Sequence, residues 1–118
     1  MRTLTLFVAG VPLNANARGE WNIIKDRAHF KEAWWLAGLE QKRRWRPAEH
    51  TTVTARHIVT VRRRRDPTGL AERLKGPLDG LVAAGLLPDD DEDHITIILS
   101  RSVKGDVAGI ELTLEADE

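Results

Sequence analysis

The sequence predicts an α+β fold in which two helices pack against a mixed β-sheet, in the order strand, helix, strand, helix, strand, strand. Four stretches are rich in β-forming residues, and two longer stretches repeat apolar residues at helical spacing. The 118 residues are 42% hydrophobic and 31% charged, so we expect one domain over residues 1–118 with a real core. The absence of cysteine excludes disulfides, thiolate zinc sites and a cysteine nucleophile.

The first strand and the first helix follow from two different periodicities. Apolar residues at every second position predict a strand over residues 3–9, with Leu4, Leu6 and Val8 on the buried face. The next pattern predicts a helix from about Asp26, its N-cap, to about Arg44, before Pro47. Its core positions are Phe30, Ala33, Trp34 and Ala37. A second apolar group indicates burial on two sides or a subunit contact, and consists of Trp35, Leu36 and Leu39.

A second strand and a second helix follow. Alternation over residues 51–61 predicts a strand whose buried face holds Val53, Ala55, His57, Val59 and Val61. Asp66 and Pro67 are typical of a helix start, and Gly85 is typical of a helix end. We expect one helix between them, kinked at Pro77. Its apolar stripe is Leu70, Leu74, Leu78 and Leu81, and its polar face is Thr68, Glu72, Lys75 and Asp79.

The last two strands are predicted over residues 94–102 and 107–114. Both runs are rich in β-branched and apolar residues, and residues 103–106 between them have turn chemistry centred on Lys104, Gly105 and Asp106. The sequence therefore predicts an antiparallel hairpin that completes the sheet.

Charge is distributed unevenly along the chain. Residues 1–65 hold 14 Lys and Arg against 5 Asp and Glu, and residues 66–118 hold 4 against 13, so the two parts carry +9 and −9. The positive charge is concentrated in residues 42–46 and 62–65, and the negative charge in residues 89–93. Mutual repulsion among these carboxylates favours a bound cation or a basic partner. The alternative is a solvated loop that only keeps the protein soluble.

Several catalytic chemistries lack sequence support. Ser100 and Ser102 have no Gly-rich elbow, and no phosphate loop or Gly-x-Gly-x-x-Gly motif occurs. The histidines lack metal-ligand spacing, and they are His29, His50, His57 and His94.

Carboxylates at the two ends of the second predicted helix remain. They suit Mg²⁺, or Mn²⁺ as its substitute. A helix of about 19 residues separates its ends by about 28 Å, so the acidic loop must fold back, or a second subunit must supply it.

Three segments carry a family resemblance. Residues 62–67 are Arg-Arg-Arg-Arg-Asp-Pro, residues 75–90 run from Lys75 through Ala84-Gly85-Leu86-Leu87 to Asp89-Asp90, and residues 11–18 contain Pro12, Asn14 and Asn16. Together they resemble the RusA-like Holliday junction resolvases, small dimeric endonucleases of bacteria and phages. The three segments are similar to that family's basic run before its first metal-binding aspartate, its lysine-containing helix with an Asp-Asp end, and its Pro- and Asn-containing loop, so the resemblance covers roughly residues 4–114.

The resemblance implies roles for individual residues. Asp66 and Asp90, or its neighbours Asp89 and Asp91, would bind the metal, and Lys75 would stabilise charge at the scissile phosphate. DNA contacts would come from Arg62, Arg63, Arg64 and Arg65, with Asn14, Asn16 and Arg18 from the upstream loop. Without the resemblance, Asp66 is a helix cap, and Lys75 and Asp79 form an i,i+4 ion pair on a solvated face.

One segment departs from the family pattern. The family has Asp-x-Asp-Asn where this chain has Asp66-Pro67-Thr68-Gly69, so a carboxylate and an asparagine are missing. Thr68 offers a neutral oxygen or holds a metal-bound water, and Glu72 is the candidate replacement for the carboxylate. The alternative for Glu72 is an ion pair with Lys75.

The sequence thus predicts a magnesium-dependent, structure-selective endonuclease. It would act as a homodimer and resolve Holliday junctions or other branched DNA by making paired nicks. One alternative is a RusA-like protein that binds branched DNA without cutting it. Another is a homo-oligomeric interaction module whose basic and acidic parts dock between subunits without nucleic acid. With no apolar run long enough for a membrane span or signal peptide, we expect a soluble, cytoplasmic protein, encoded by a bacterium or phage.

Overall fold

The computed structural model describes residues 2–12, 20–61 and 67–117. The strands are β1 (Thr3–Ala9), β2 (Thr51–Val59), β3 (Ile95–Leu99), β4 (Val103–Lys104) and β5 (Gly109–Ala116). The helices are α1 (Glu20–Gln41), α2 (Pro67–Ala71) and α3 (Lys75–Ala83). Together they form an α+β fold with helices against a mixed sheet, as predicted.

The sheet has the strand order β1, β5, β2, β3, with β4 also beside β2. Strand β5 pairs antiparallel with β1 and β2, so that Leu112 lies between Leu6 and Ala55. Strands β3 and β4 both run parallel to β2. The central apolar row faces the helices and forms the core with Phe30 and Trp34.

The predicted hairpin is wrong, because β2 separates β3 from β5. Val103 and Lys104 do not turn but pair with the end of β2, and the Gly105 amide donates to the Val59 carbonyl at 2.8 Å. Alternation identifies a strand but not its neighbour, and successive strands are only usually adjacent. The second predicted strand also ends early, at Val59, and leaves Val61 56% exposed.

Helix α1 begins earlier and ends earlier than predicted. Asp26 lies inside the helix rather than at its N-cap, because no Gly or Pro interrupts the chain between Glu20 and Asp26. The helix ends at Gln41, and residues 42–44 form a turn before Pro47. Its predicted core positions are buried or half-buried, whereas Trp35, Leu36 and Leu39 are exposed.

The second predicted helix is two helices, and the interruption lies at residues 72–74 rather than at Pro77. A proline inside a helix clashes with the carbonyl four residues earlier, which here belongs to Arg73, and lacks the amide that would bond to it. The break therefore falls one turn upstream, and Pro77 occupies the first turn of α3, where an amide needs no helical acceptor. The predicted leucine stripe is buried throughout.

Helix α3 ends as predicted at Gly85, which has a φ of 83°. The Leu86 amide donates to the Leu81 carbonyl and the Gly85 amide to the Val82 carbonyl, both at 3.0 Å. This pair of bonds is a Schellman motif, which reverses the chain direction. The segment after Gly85 therefore runs back along α3. No helix in the described ranges is long and apolar enough to cross a membrane.

Candidate metal and phosphate site

The acidic residues after α3 form a compact turn, organised by Asp91. Its Oδ1 accepts hydrogen bonds from the amides of Asp93 at 3.1 Å and His94 at 3.2 Å. Its carbonyl accepts from the amides of His94 at 3.1 Å and Ile95 at 3.0 Å. Aspartate commonly closes turns in this way. We call residues 89–94 the acidic turn.

The acidic turn contacts the start of α3 through Lys75. The Lys75 ammonium donates to Asp90 Oδ2 at 3.0 Å and also lies 3.2 Å from Asp79 Oδ1. Because α3 has nine residues, its ends are only about 13 Å apart. The acidic turn therefore folds back to the start of α3 within one chain, whereas Asp66, to which the sequence predicted its return, lies outside the described residues.

The two charges in this contact stabilise each other. The hydrogen bond that Lys75 donates to Asp90, supported by the one to Asp79, raises the pKa of Lys75 above its ordinary value. The hydrogen bond from Lys75 lowers the pKa of Asp90. The pair stays ionised at neutral pH, so the site offers an ammonium beside carboxylates at the surface.

Asp89, Asp91 and His94 bring one potential ligand atom each within 4.8 Å of one another. His94 Nδ1 lies 2.6 Å from Asp91 Oδ1, and this hydrogen bond, with the charges of Asp89 and Asp93, raises the pKa of His94. Two carboxylates and an imidazole are groups that can bind a divalent cation, and this set does not select one metal. His94 must release its Nδ1 proton before that atom can bind a metal.

His94 was not predicted as a metal ligand, because the spacing of the histidines was compared only among themselves and not with the spacing to nearby carboxylates. The signal was its position three residues after Asp91, within one turn.

His50 was also missed, and it braces the acidic turn against the sheet. Its Nδ1 lies 3.2 Å from the Asp93 carbonyl oxygen and its Nε2 2.8 Å from Thr96 Oγ1. The amide of the next residue, Thr51, donates to the His94 carbonyl at 2.9 Å. Both ends of the acidic turn are thus fixed, one by α3 and one by β2.

The structure brings none of the other predicted site residues that it describes into the acidic turn. Glu72 is exposed between α2 and α3 and makes no ion pair with any residue that the structure describes. Thr68 lies in α2, without a described side chain. Outside the described residues lie Asp66, Arg62, Arg63, Arg64, Arg65, Asn14, Asn16 and Arg18.

The protein is thus an α+β protein with a mixed sheet, in which the acidic turn contacts Lys75 at the start of α3. Neither a protein-family model nor a curated protein matches the chain.

Proposed function

We propose that the protein is a RusA-like endonuclease that depends on a divalent cation, Mg²⁺ with Mn²⁺ as substitute, and nicks four-way junctions or other branched DNA. The observation that carries the proposal is the contact of Lys75 with Asp90, beside Asp89 and Asp91. Metal-dependent phosphodiester hydrolysis uses cation-binding carboxylates and a positive group near the phosphate, and this surface has both kinds of group.

Each residue has a separate task in this proposal. Asp89, Asp91 and His94 hold the cation, which when bound activates water and neutralises phosphate charge. Lys75 releases Asp90 and donates to a non-bridging phosphate oxygen, while Asp79 keeps its ammonium at the start of α3. Asp66, with Asp90, completes the ligand set. The arginines of residues 62–65, with the loop residues Asn14, Asn16 and Arg18, hold the DNA backbone.

Junction resolution requires two nicks, and a homodimer supplies two such sites. A dimer with twofold symmetry presents identical sites to symmetry-related strands of a four-way junction, which gives symmetric paired cuts. The proposed setting is the cytoplasm of a bacterium or of a phage-infected cell, where branched DNA arises.

The second candidate is a protein of the same kind that binds branched DNA without cutting. It is favoured by Thr68 and Gly69, which stand where the resembled family has a carboxylate and an asparagine. Divalent-cation affinity depends steeply on the number of charged ligands, so this difference weakens the site.

The test is an incubation of end-labelled four-way junction and linear duplex with Mg²⁺, Mn²⁺ or EDTA. Wild type is compared with Asp66→Asn, Lys75→Gln and Thr68→Asp. The proposal predicts metal-dependent junction nicking that Asp66→Asn and Lys75→Gln abolish. A junction that wild type binds but only Thr68→Asp cuts would support the second candidate. Neither binding nor cutting, with self-association that salt dissolves, would support the interaction module.

A further inference from the structure

A second group of cations lies on a rigid part of the surface, away from the arginines of residues 62–65 in sequence. Lys42, Arg43 and Arg44 are consecutive and exposed, and they form a turn directly after α1. The Arg44 amide donates to the Gln41 carbonyl at 2.9 Å and the Lys42 amide to the Leu39 carbonyl at 3.3 Å. We call these three residues the α1 basic cluster.

Trp45 anchors the cluster in the fold. Its side chain is 4% exposed, and its Nε1 donates to the Leu86 carbonyl at 3.0 Å. On the other side, the Arg2 guanidinium stacks 4.9 Å from the Trp45 ring and donates to the Arg46 carbonyl at 2.6 Å. The cluster is therefore held between the end of α3 and the start of β1, unlike a flexible basic tail.

The charges of the cluster are available to a partner. Within the described part of the chain, Lys42, Arg43 and Arg44 form no ion pair. Three adjacent unneutralised cations create a local field that attracts polyanions.

The cluster also lies close to the acidic turn. A methyl group at Gly85 would come 3.3 Å from Lys42 Nζ, and Trp45 bonds to Leu86, only three residues before Asp89. Three residues span at most about 10 Å, so the Leu86 carbonyl that holds Trp45 lies within about that distance of the Asp89 backbone. The cluster and the acidic turn therefore lie on neighbouring parts of the surface, within reach of one bound DNA molecule.

We propose that the α1 basic cluster is a second nucleic-acid contact, which binds backbone phosphates beside the acidic turn. Its position relative to a cut rests on the proposed function, whereas backbone binding by the cluster does not. A second copy's acidic turn is a less favourable occupant, because two of its carboxylates, Asp90 and Asp91, already form ion pairs with Lys75 and His94.

The test compares the triple variant Lys42→Gln, Arg43→Gln, Arg44→Gln with the control Arg101→Gln, Lys104→Gln, which removes two exposed cations elsewhere. Binding to a fluorescent four-way junction and a duplex is measured in EDTA over a salt series. We expect the triple variant to bind at least about tenfold more weakly, and its slope of log affinity against log salt to be shallower by about 2.7. The control should lose much less. Circular dichroism and the melting temperature verify that both variants fold.

Unchanged affinity and slope in the triple variant, or no DNA binding by wild type, would overturn the inference. So would loss of self-association in low salt, measured by sedimentation, without loss of DNA binding. The result is separable from the proposed function, because binding in EDTA needs no cleavage. A wild type that binds through the cluster but never cuts would leave this inference standing and refute the nuclease.

Discussion

Lys75 Nζ lies 3.0 Å from Asp90 Oδ2, although the two residues are 15 positions apart. Lys75 is the first residue of α3, and Asp90 lies beyond its end. The contact depends on a helix break caused by Pro77 and on a chain reversal at Gly85. Pro77 forces the break that makes Lys75 the first residue of α3, and Gly85 reverses the chain so that the acidic turn runs back to it.

The Lys75 to Asp90 contact predicts a defined pH dependence of the metal-free protein. Asp90 has a lowered pKa when folded, so its contribution is present above the ordinary aspartate pKa and is lost as pH falls through the lowered value. Lys75 has a raised pKa, so its contribution is lost only as pH rises through that raised value. Lys75→Gln should raise the pKa of Asp90, as measured by carboxyl NMR titration, and destabilise the fold by about 0.5 kcal/mol at neutral pH. An Asp90 titration that does not move would contradict the contact.

Gly80 is predicted to be essential for the packing of α3 on α1. A methyl group there would come 2.5 Å from the Lys31 carbonyl oxygen and 2.8 Å from Trp34 Cβ, both in α1. Gly80→Ala should therefore destabilise the protein by about 1–3 kcal/mol in urea unfolding. Gly69→Ala is the control, since nothing described lies within 4 Å of its added methyl, and it should stabilise α2 by about 0.5–1 kcal/mol. Equal effects of the two substitutions would refute this packing.

Two buried tryptophans should respond differently to the same substitution. Trp45 Nε1 donates to the Leu86 carbonyl, whereas buried Trp34 Nε1 has no hydrogen-bond partner among the described residues. Trp→Phe removes the same atoms at both sites, but only at Trp45 does it leave a carbonyl without its donor. We expect the free energy of unfolding, measured by chemical denaturation, to fall by about 1 kcal/mol more in Trp45→Phe than in Trp34→Phe. The difference comes from the hydrogen bond that only Trp45→Phe loses. The reverse order would show that this bond does not hold the α1 basic cluster.

Cation binding by the acidic turn can be measured without DNA. Asp89→Asn and His94→Gln each remove one of three potential ligands, so Mn²⁺ affinity, measured by electron paramagnetic resonance, should fall at least about tenfold. The control Asp106→Asn removes an exposed carboxylate outside the turn and should bind Mn²⁺ as wild type does. Equal affinities in all three variants would place the cation elsewhere.

Sequence reasoning captured what local periodicity encodes and missed what the tertiary fold decides. The alternation of Leu4, Leu6 and Val8 predicted β1, and Gly85 predicted the end of α3, because both depend on nearby residues. The insertion of β2 between β3 and β5 depends on long-range pairing, which alternation does not specify.

The candidate site likewise combines features that the local sequence predicts with features that only the tertiary fold creates. Clustered carboxylates predicted an acidic loop, and the resemblance gave Lys75 a role at the scissile phosphate, but neither predicted the contact of Lys75 with Asp90. His94 and His50 were missed because their importance comes from bonds to Asp91, Asp93 and Thr96 that only the folded turn creates.

The proposed nuclease activity is tested most directly by the rate at which the protein nicks a four-way junction in Mn²⁺. Wild type, Asp89→Asn, Asp90→Asn and Asp106→Asn are compared at saturating junction, with binding measured in parallel. We expect paired nicks by wild type and Asp106→Asn, and a loss of at least about 100-fold in rate for the other two, because each removes a negative ligand of the acidic turn. Cutting by Asp89→Asn and Asp90→Asn at the wild-type rate, or no cutting by any of the four proteins, would refute a nuclease centred on the acidic turn.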